Sequence, residues 1–382
     1  MKAIKILVAI SIVVCAINTP GASAGLIESE RMEEYHRRGH TWPPNPQDYT
    51  PNTPGWQTLN ERRFKQLSYL DGTSGQRYDG YRQAVHSALQ CRNFTEYGWG
   101  VTKAPQAVVD KLRKRLHDGL EQETKKQERS LDCVETDSLP FFINDDVMNQ
   151  EILNELLQLH EAWDGVELVA NNAYGLRVYR NGTNLNMHLD KTETHIISSI
   201  LHVDHGENDE PWPIVIEDFH GNTNEVFLES GDMLFYESSK CVHGRPAKMN
   251  GEYYSSLFSH YYPKDWDANK VEMDIHYRVP DIWPDQLERE EGDDTEELLM
   301  VDTSMKEPEC ADAWCGLKDA VKWYGPAPGY GKVLSGGGYD HVVDLQDIPS
   351  EESFEKKIVE QDMEVVDDED TKVDEQDEMD EL

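Results

Sequence analysis

Six short runs of β-branched, aromatic and other apolar residues crowd one stretch of the chain: 174–180, 195–203, 213–218, 224–228, 232–237 and 253–262. Turn formers part them, among them Asn181-Gly182, His220-Gly221-Asn222, Gly231 and Asn250-Gly251. Strands this short and this regularly punctuated bury a core only by stacking as a sandwich or closing as a jelly-roll barrel. Two helices are expected ahead of them. In the first, Thr102 offers a cap, Pro105 falls in the first turn, and Val108, Val109, Leu112, Leu116 and Leu120 share a face. The second runs over about 145–163, with Ile152, Leu153, Leu156 and Leu157 on its apolar stripe. Both are expected to pack without contributing chemistry. Residues 57–165 thus read as a helical part and 166–265 as a β-rich core, an α+β arrangement.

The flanks read as addresses and solvated chain. Lys2 and Lys5 precede an apolar run over 6–17 and the small-residue end Ala22-Ser23-Ala24, so residues 1–24 are expected to be a cleaved secretory signal. The run is too short to span a bilayer, and no later stretch is longer, so no membrane span is expected after cleavage. Residues 25–56, rich in proline and glycine, read as an irregular arm. Residues 266–350 are acidic and broken by proline, with no second core expected. Residues 351–382 hold 16 acidic and 3 basic side chains, a tail of net −13 expected to be disordered. It closes on Met379-Asp380-Glu381-Leu382, one residue away from the Lys- or His-Asp-Glu-Leu retention signal. Residence in the endoplasmic reticulum lumen is expected, with secretion as the alternative. Lys plus Arg number 36 against 74 Asp plus Glu, and a net charge of −38 argues against a nucleic-acid partner, which needs a basic face.

A secretory route also frames the cysteines. Five follow the signal: Cys310 and Cys315 suit a local bridge, Cys91 and Cys133 a longer one, and Cys241 is then left free. None has zinc-site spacing. Asn93-Phe94-Thr95 and Asn181-Gly182-Thr183 are glycosylation sequons.

The chemistry points to the β-rich part. His188-Leu189-Asp190 places an imidazole and a carboxylate two residues apart, on one face if the segment is extended. His243 follows 55 residues later, just past the run 232–237. Two histidines and one carboxylate leave half of an octahedron open, the arrangement of non-haem Fe(II) oxygenases. His195, His202 and His205 lie nearby, but 195 and 202 fall on opposite faces of one run, so they read as structural or surface residues.

With these residues in place, the stretch from about 174 to 262 resembles the prolyl 4-hydroxylase branch of the 2-oxoglutarate- and Fe(II)-dependent dioxygenases. The resemblance rests on Tyr179-Arg180-Asn181-Gly182 leading to His188-Leu189-Asp190, on the run Ser230-Gly231-Asp232-Met233-Leu234-Phe235-Tyr236, and on His243-Gly244. It implies a double-stranded β-helix braced by the N-terminal helices. It implies iron held by His188, Asp190 and His243, with 2-oxoglutarate, O₂ and ascorbate as cosubstrates and helper. Tyr179 would face the barrel and hydrogen-bond the cosubstrate. Where the family places a lysine for the cosubstrate's C5 carboxylate, about ten residues after the distal histidine, this chain has Tyr253, with Ser255 on the same face. A supporting cation is then needed, and Arg177, two residues from Tyr179, is the candidate; Lys248 sits in a turn that aims it at solvent. The implied function is hydroxylation of a secretory peptide or protein substrate, proline-rich and converted to 4-hydroxyproline, with release of succinate and CO₂. The alternatives are hydroxylation of another residue or a small molecule, or a non-catalytic acidic protein that buffers calcium.

Overall fold

The computed structural model describes residues 62, 66, 91–123, 125–128, 133–266, 304–336, 341–354 and 356. The signal at 1–24, the arm at 25–56 and the retention-like end of the acidic tail lie outside them. In chain order the elements are β1 (Trp99–Lys103), α1 (Gln106–Leu120), β2 (Val134–Glu135), β3 (Phe141–Phe142), α2 (Asp146–Asp164), β4 (Leu168–Arg180), β5 (Asn184–His188), β6 (Ile197–His205), β7 (Ile214–Glu217), β8 (Thr223–Phe227), β9 (Asp232–Tyr236), β10 (His243–Arg245), β11 (Tyr253–Pro263), β12 (Val321–Tyr324), β13 (Lys332–Ser335) and β14 (Val342–Asp344).

These strands form two sheets among the described residues. The major sheet runs β14-β13-β1-β9-β6-β11-β4-β3, and the minor sheet β12-β8-β7-β10-β5-β2. From β4 to β11 the chain passes back and forth between them. The central four strands of the major sheet (β9-β6-β11-β4) face those of the minor sheet (β8-β7-β10-β5), which is the winding of a double-stranded β-helix. Pairing is antiparallel except where β12 joins β8 in parallel.

The two faces of the major sheet do different work. On its outer face Leu176, Val178, Leu201, Val203, Met233 and Leu257 meet Val108, Leu112 and Leu116 of α1 and Ile152 and Leu156 of α2 in one apolar core. Burying each such side chain contributes about 1.5–3 kcal/mol. The helix α2 starts where the Asp145 side chain accepts from Met148 N–H and stops at Gly165, whose φ of 77° is the left-handed cap position. On the inner face, Arg177 and Tyr179 of β4 lie opposite Ser256 and Tyr254 of β11, and these side chains line the barrel.

Three sequence expectations need correction. Thr102 does not cap α1: it belongs to β1, its hydroxyl donating to Gly329 O at 3.2 Å, and Pro105 stands at the cap position. The β-core does not end at 265, because β13 and β14 extend the major sheet beyond β1 and β12 extends the minor sheet beyond β8. Trp314, Trp323 and Val333 are buried in that addition. Of the cysteine pairings, Cys310–Cys315 is formed, whereas Cys91 and Cys133 are both free thiols. Cys91 is fully buried beside the Ser239 hydroxyl at 3.3 Å, and Cys133 lies at the edge of the minor sheet.

Candidate metal centre

His188 ends β5 and His243 begins β10, and these antiparallel strands put the two residues directly opposite one another. Their rings lie 4.4 Å apart. Gly244 permits this pairing, since a Cβ there would stand 2.7 Å from Asn186 O and 2.8 Å from Leu185 O. Asp190 lies just beyond the end of β5 rather than on it. Its N–H donates to Ser238 O at 3.0 Å, and this turns the carboxylate back toward the histidines. Asp190 Oδ1 is then 3.6 Å from His188 Nε2 and 3.8 Å from His243 Nε2. The three candidate ligand atoms all lie within 4.8 Å of one another.

The surroundings prepare these atoms for a cation. His188 Nδ1 donates to Asn186 O at 2.8 Å and His243 Nδ1 to Cys241 O at 2.9 Å, which leaves each Nε2 lone pair facing its partner. Burial, together with the nearby His188, holds His243 down at about 4, so it stays neutral. Burial alone would raise Asp190, but His243, His260, His188 and His195 around it hold its carboxyl at about 2. For His188, burial is outweighed by Cys133 and Asp190, which raise it to about 9; a bound cation takes the place of that proton. The Tyr236 ring meets His243 edge-on at 4.6 Å, and burial together with the nearby Asp190 carboxylate pushes its phenol well up, so it stays protonated. Two neutral imidazoles and a carboxylate so oriented fit a divalent transition metal with coordination positions left open.

Tyr179 and Arg177 both face the barrel, as their spacing implies. Tyr179 is buried in a layer with Leu185, Trp212, Met249 and Tyr254. Arg177, however, is already neutralised: its Nε donates to Glu128 Oε2 at 2.7 Å, its Nη2 to the other oxygen, and its Nη1 to the Tyr179 hydroxyl at 3.3 Å. Tyr253 and Ser255 are not in this layer. Tyr253 packs against the helix-facing core and donates to Asp204 Oδ2 at 3.4 Å, and Ser255 lies opposite Val178 on that same face. A slip of one residue moves every side chain of a strand to the other face, and the barrel-facing pair is Tyr254 and Ser256.

The residue that sequence reasoning missed is Arg245. It is 3% exposed, sandwiched between Trp212 and Tyr254 with its guanidinium carbon 4.7 Å and 4.4 Å from their rings. It donates to Trp212 O and, at 3.0 Å, to the Tyr254 hydroxyl. Among the described residues no carboxylate pairs with it. Ser256 Oγ, on the same interior side, is buried without a hydrogen-bond partner in the described structure. A buried cation held among rings and a phenol is the kind of site an anionic ligand would complete, and the Ser256 hydroxyl, opposite Arg177, lies on the same barrel-facing side. The signal was present in the sequence: His243 and Arg245 alternate on a strand as His188 and Asp190 were taken to do. His195 and His202 do not converge: His195 packs against His260 with its ring tilted, and His202 stacks on Tyr254.

No family model and no curated protein matches the chain. Among solved structures it is similar to a Pseudomonas putida prolyl-4-hydroxylase, with 14% identity, 49% of this chain and 99% of that one covered, and a TM-score of 0.34. It is similar to HygX from Streptomyces hygroscopicus with nickel and 2-oxoglutarate bound, at 11% identity, 45% and 85% coverage, and a TM-score of 0.34. It is also similar to a Trichoplax adhaerens prolyl hydroxylase in complex with a hypoxia inducible factor peptide fragment, at 10% identity, 51% and 95% coverage, and a TM-score of 0.34. At that distance the chemistry of this chain has to rest on its own side chains.

Proposed function

We propose that the chain is a 2-oxoglutarate- and Fe(II)-dependent oxygenase that hydroxylates peptidyl proline in proteins of the secretory pathway. The observation that supports this best is the pairing of the His188–Asp190–His243 triad with a barrel-lining layer whose buried Arg245 meets no carboxylate among the described residues. The reaction consumes a C–H bond, O₂ and 2-oxoglutarate and yields the alcohol, succinate and CO₂. Bound Fe(II) would supply O₂ activation, with ascorbate keeping it reduced. Arg245, the Tyr254 phenol and the Ser256 hydroxyl hold the C5 carboxylate of the cosubstrate. The Tyr179 phenol accepts from Arg177 and gives its own proton to the same ligand. Tyr236 fixes the Asp190 carboxylate, and Trp212 excludes water from the layer.

Location in the endoplasmic reticulum is part of the proposal, supported by the signal-like start and the Asp-Glu-Leu end. The buried Arg245 guanidinium beside the triad favours this reading over a non-catalytic calcium-buffering protein. The test is incubation with Fe(II), 2-oxoglutarate and a library of proline-rich peptides. Succinate should form, a peptide should gain 16 mass units on proline (the mass of one oxygen atom, ~16), and Asp190→Ala should abolish both. Succinate without proline oxidation would redirect the substrate to another residue or a small molecule. No succinate with any substrate, from protein shown to bind the metal, would sink the oxygenase reading.

A further inference from the structure

Cys133 reaches the metal centre from outside the triad. Its Sγ stands 3.7 Å from His188 Nε2, the atom that faces the cation. Its place is imposed by the backbone: Asn186 N–H donates to Cys133 O at 2.8 Å, and Val134 pairs with Leu185. Residues 125–128 lie against β3 at the edge of the major sheet, with Phe142 N–H donating to Lys126 O at 2.9 Å. By 133–135 the chain is on β5 at the edge of the minor sheet. The thiol is therefore placed at the edge of the minor sheet, next to the site. It lies alongside Tyr179 and Tyr254, the layer assigned above to the cosubstrate.

Two ligands of one tetrahedral ion, with metal–nitrogen bonds of about 2.0–2.1 Å and a metal–sulfur bond of about 2.3 Å, stand about 3.6 Å apart. The Sγ–Nε2 separation matches that edge, and the 3.6 and 3.8 Å nitrogen–oxygen separations of the triad are close to its other edges. Sγ meets the triad at His188 alone and stands outside the group of atoms within 4.8 Å of one another, so to ligate the ion the thiol has to move in toward Asp190 and His243.

We propose that Cys133 is a fourth protein ligand of the metal when no cosubstrate is bound. This rests on the reading of the triad as a metal site. Coordination releases the thiol proton to solvent and leaves two neutral imidazoles, a carboxylate and a thiolate around a divalent ion, a closed site of zero net charge. Such a site favours Zn²⁺ over Fe²⁺, because a thiolate is a soft ligand and four protein ligands satisfy zinc completely. The dianionic 2-oxoglutarate then has to displace the thiolate before it chelates, so Cys133 sets both metal choice and the resting state.

Co²⁺ titration of the full chain, with a phosphine reductant present, tests this. Wild type should show a near-ultraviolet thiolate-to-cobalt charge-transfer band together with visible d–d bands. Cys133→Ser should lose the first and keep the second, while Cys91→Ser and Cys241→Ser keep both. Addition of 2-oxoglutarate should remove the charge-transfer band. Zn²⁺ should also slow alkylation of Cys133, and Cys133→Ser should weaken Zn²⁺ binding at least roughly tenfold, since even changes outside the ligand shell cost 10–100-fold. Visible bands without the charge-transfer band would overturn the proposal and leave the triad standing. A charge-transfer band that survives 2-oxoglutarate would overturn displacement. Absence of any cobalt band would bring down the triad reading itself.

Discussion

Two arginines face the inside of the same barrel, Arg245 buried and Arg177 largely so, and their surroundings differ in kind. Around Arg177 the charge is closed: Glu128 takes two of its donors, the Tyr174 hydroxyl also donates to Glu128, and the rings of Tyr174, Tyr179 and Phe258 surround it. Around Arg245 the charge is open, with a carbonyl, a phenol and two aromatic faces but, among the described residues, no carboxylate. Breaking a buried ion pair is strongly destabilising because a charge is stranded, whereas a cation already without a counter-ion has little pairing energy to lose. The first arginine therefore serves the fold and the second is available to a ligand.

The largest effect should come from the closed region. Glu128→Gln strands Arg177 and should lower unfolding free energy by about 3 kcal/mol, read by denaturant titration. The double variant Glu128→Leu with Arg177→Met should recover most of that loss. If Glu128→Gln is silent, Arg177 is not dependent on its partner and returns as a rival anchor. The open region should respond in binding instead. Hydrogen bonds to charged groups contribute about 1.5–3 kcal/mol, so Arg245→Met should weaken 2-oxoglutarate binding roughly 10- to 150-fold by calorimetry on Ni²⁺-loaded protein. Unfolding free energy should shift by no more than about 1 kcal/mol, since methionine fills similar volume among the same rings. Equal 2-oxoglutarate affinity in Arg245→Met and wild type would move the C5 carboxylate elsewhere.

The contrast also marks where sequence reading stopped. Three strands of the major sheet, β6, β9 and β11, were legible within two residues at each end, because their β-branched, aromatic and apolar residues cluster between turn formers. Of the strands that bring the metal triad together, β10 has three residues, too few to show a pattern, and β5 reads Asn-Leu-Asn-Met-His, without the β-branched or aromatic residues that mark a strand. The triad was visible through residue type, not through secondary structure. β12 to β14 sit in an acidic, proline-broken stretch whose local signal is weak, and pairing to β1 and β8 decides their conformation. Arg177 was misjudged because Glu128, 49 positions upstream, is joined to it only by the fold. Nothing in the spacing of the cysteines told a bridge from two separated thiols.

The smallest effect tests the register of β11, where two adjacent tyrosines differ only in the face they occupy. Tyr254 pairs with Tyr179 across β4, stacks on His202 at 3.9 Å, and accepts from Arg245 at 3.0 Å. Tyr253 points the other way, its phenol 3.4 Å from Asp204 at a partly exposed position. A neutral hydrogen bond has a net worth of about 0.5–1.5 kcal/mol. Tyr254→Phe removes the one phenol proton that can reach the cosubstrate's carboxylate from this strand, so it should weaken 2-oxoglutarate binding roughly 2- to 12-fold. Tyr253→Phe should leave that affinity unchanged and cost at most about 0.5 kcal/mol of stability, because a long bond to a half-exposed carboxylate is well screened. The two variants are alike in composition and volume, so only the side of the strand separates them. Were Tyr253→Phe the one to weaken binding, the pairing of β11 with β4 would have to shift by one residue, and Ser255 would replace Ser256 as the barrel-facing hydroxyl.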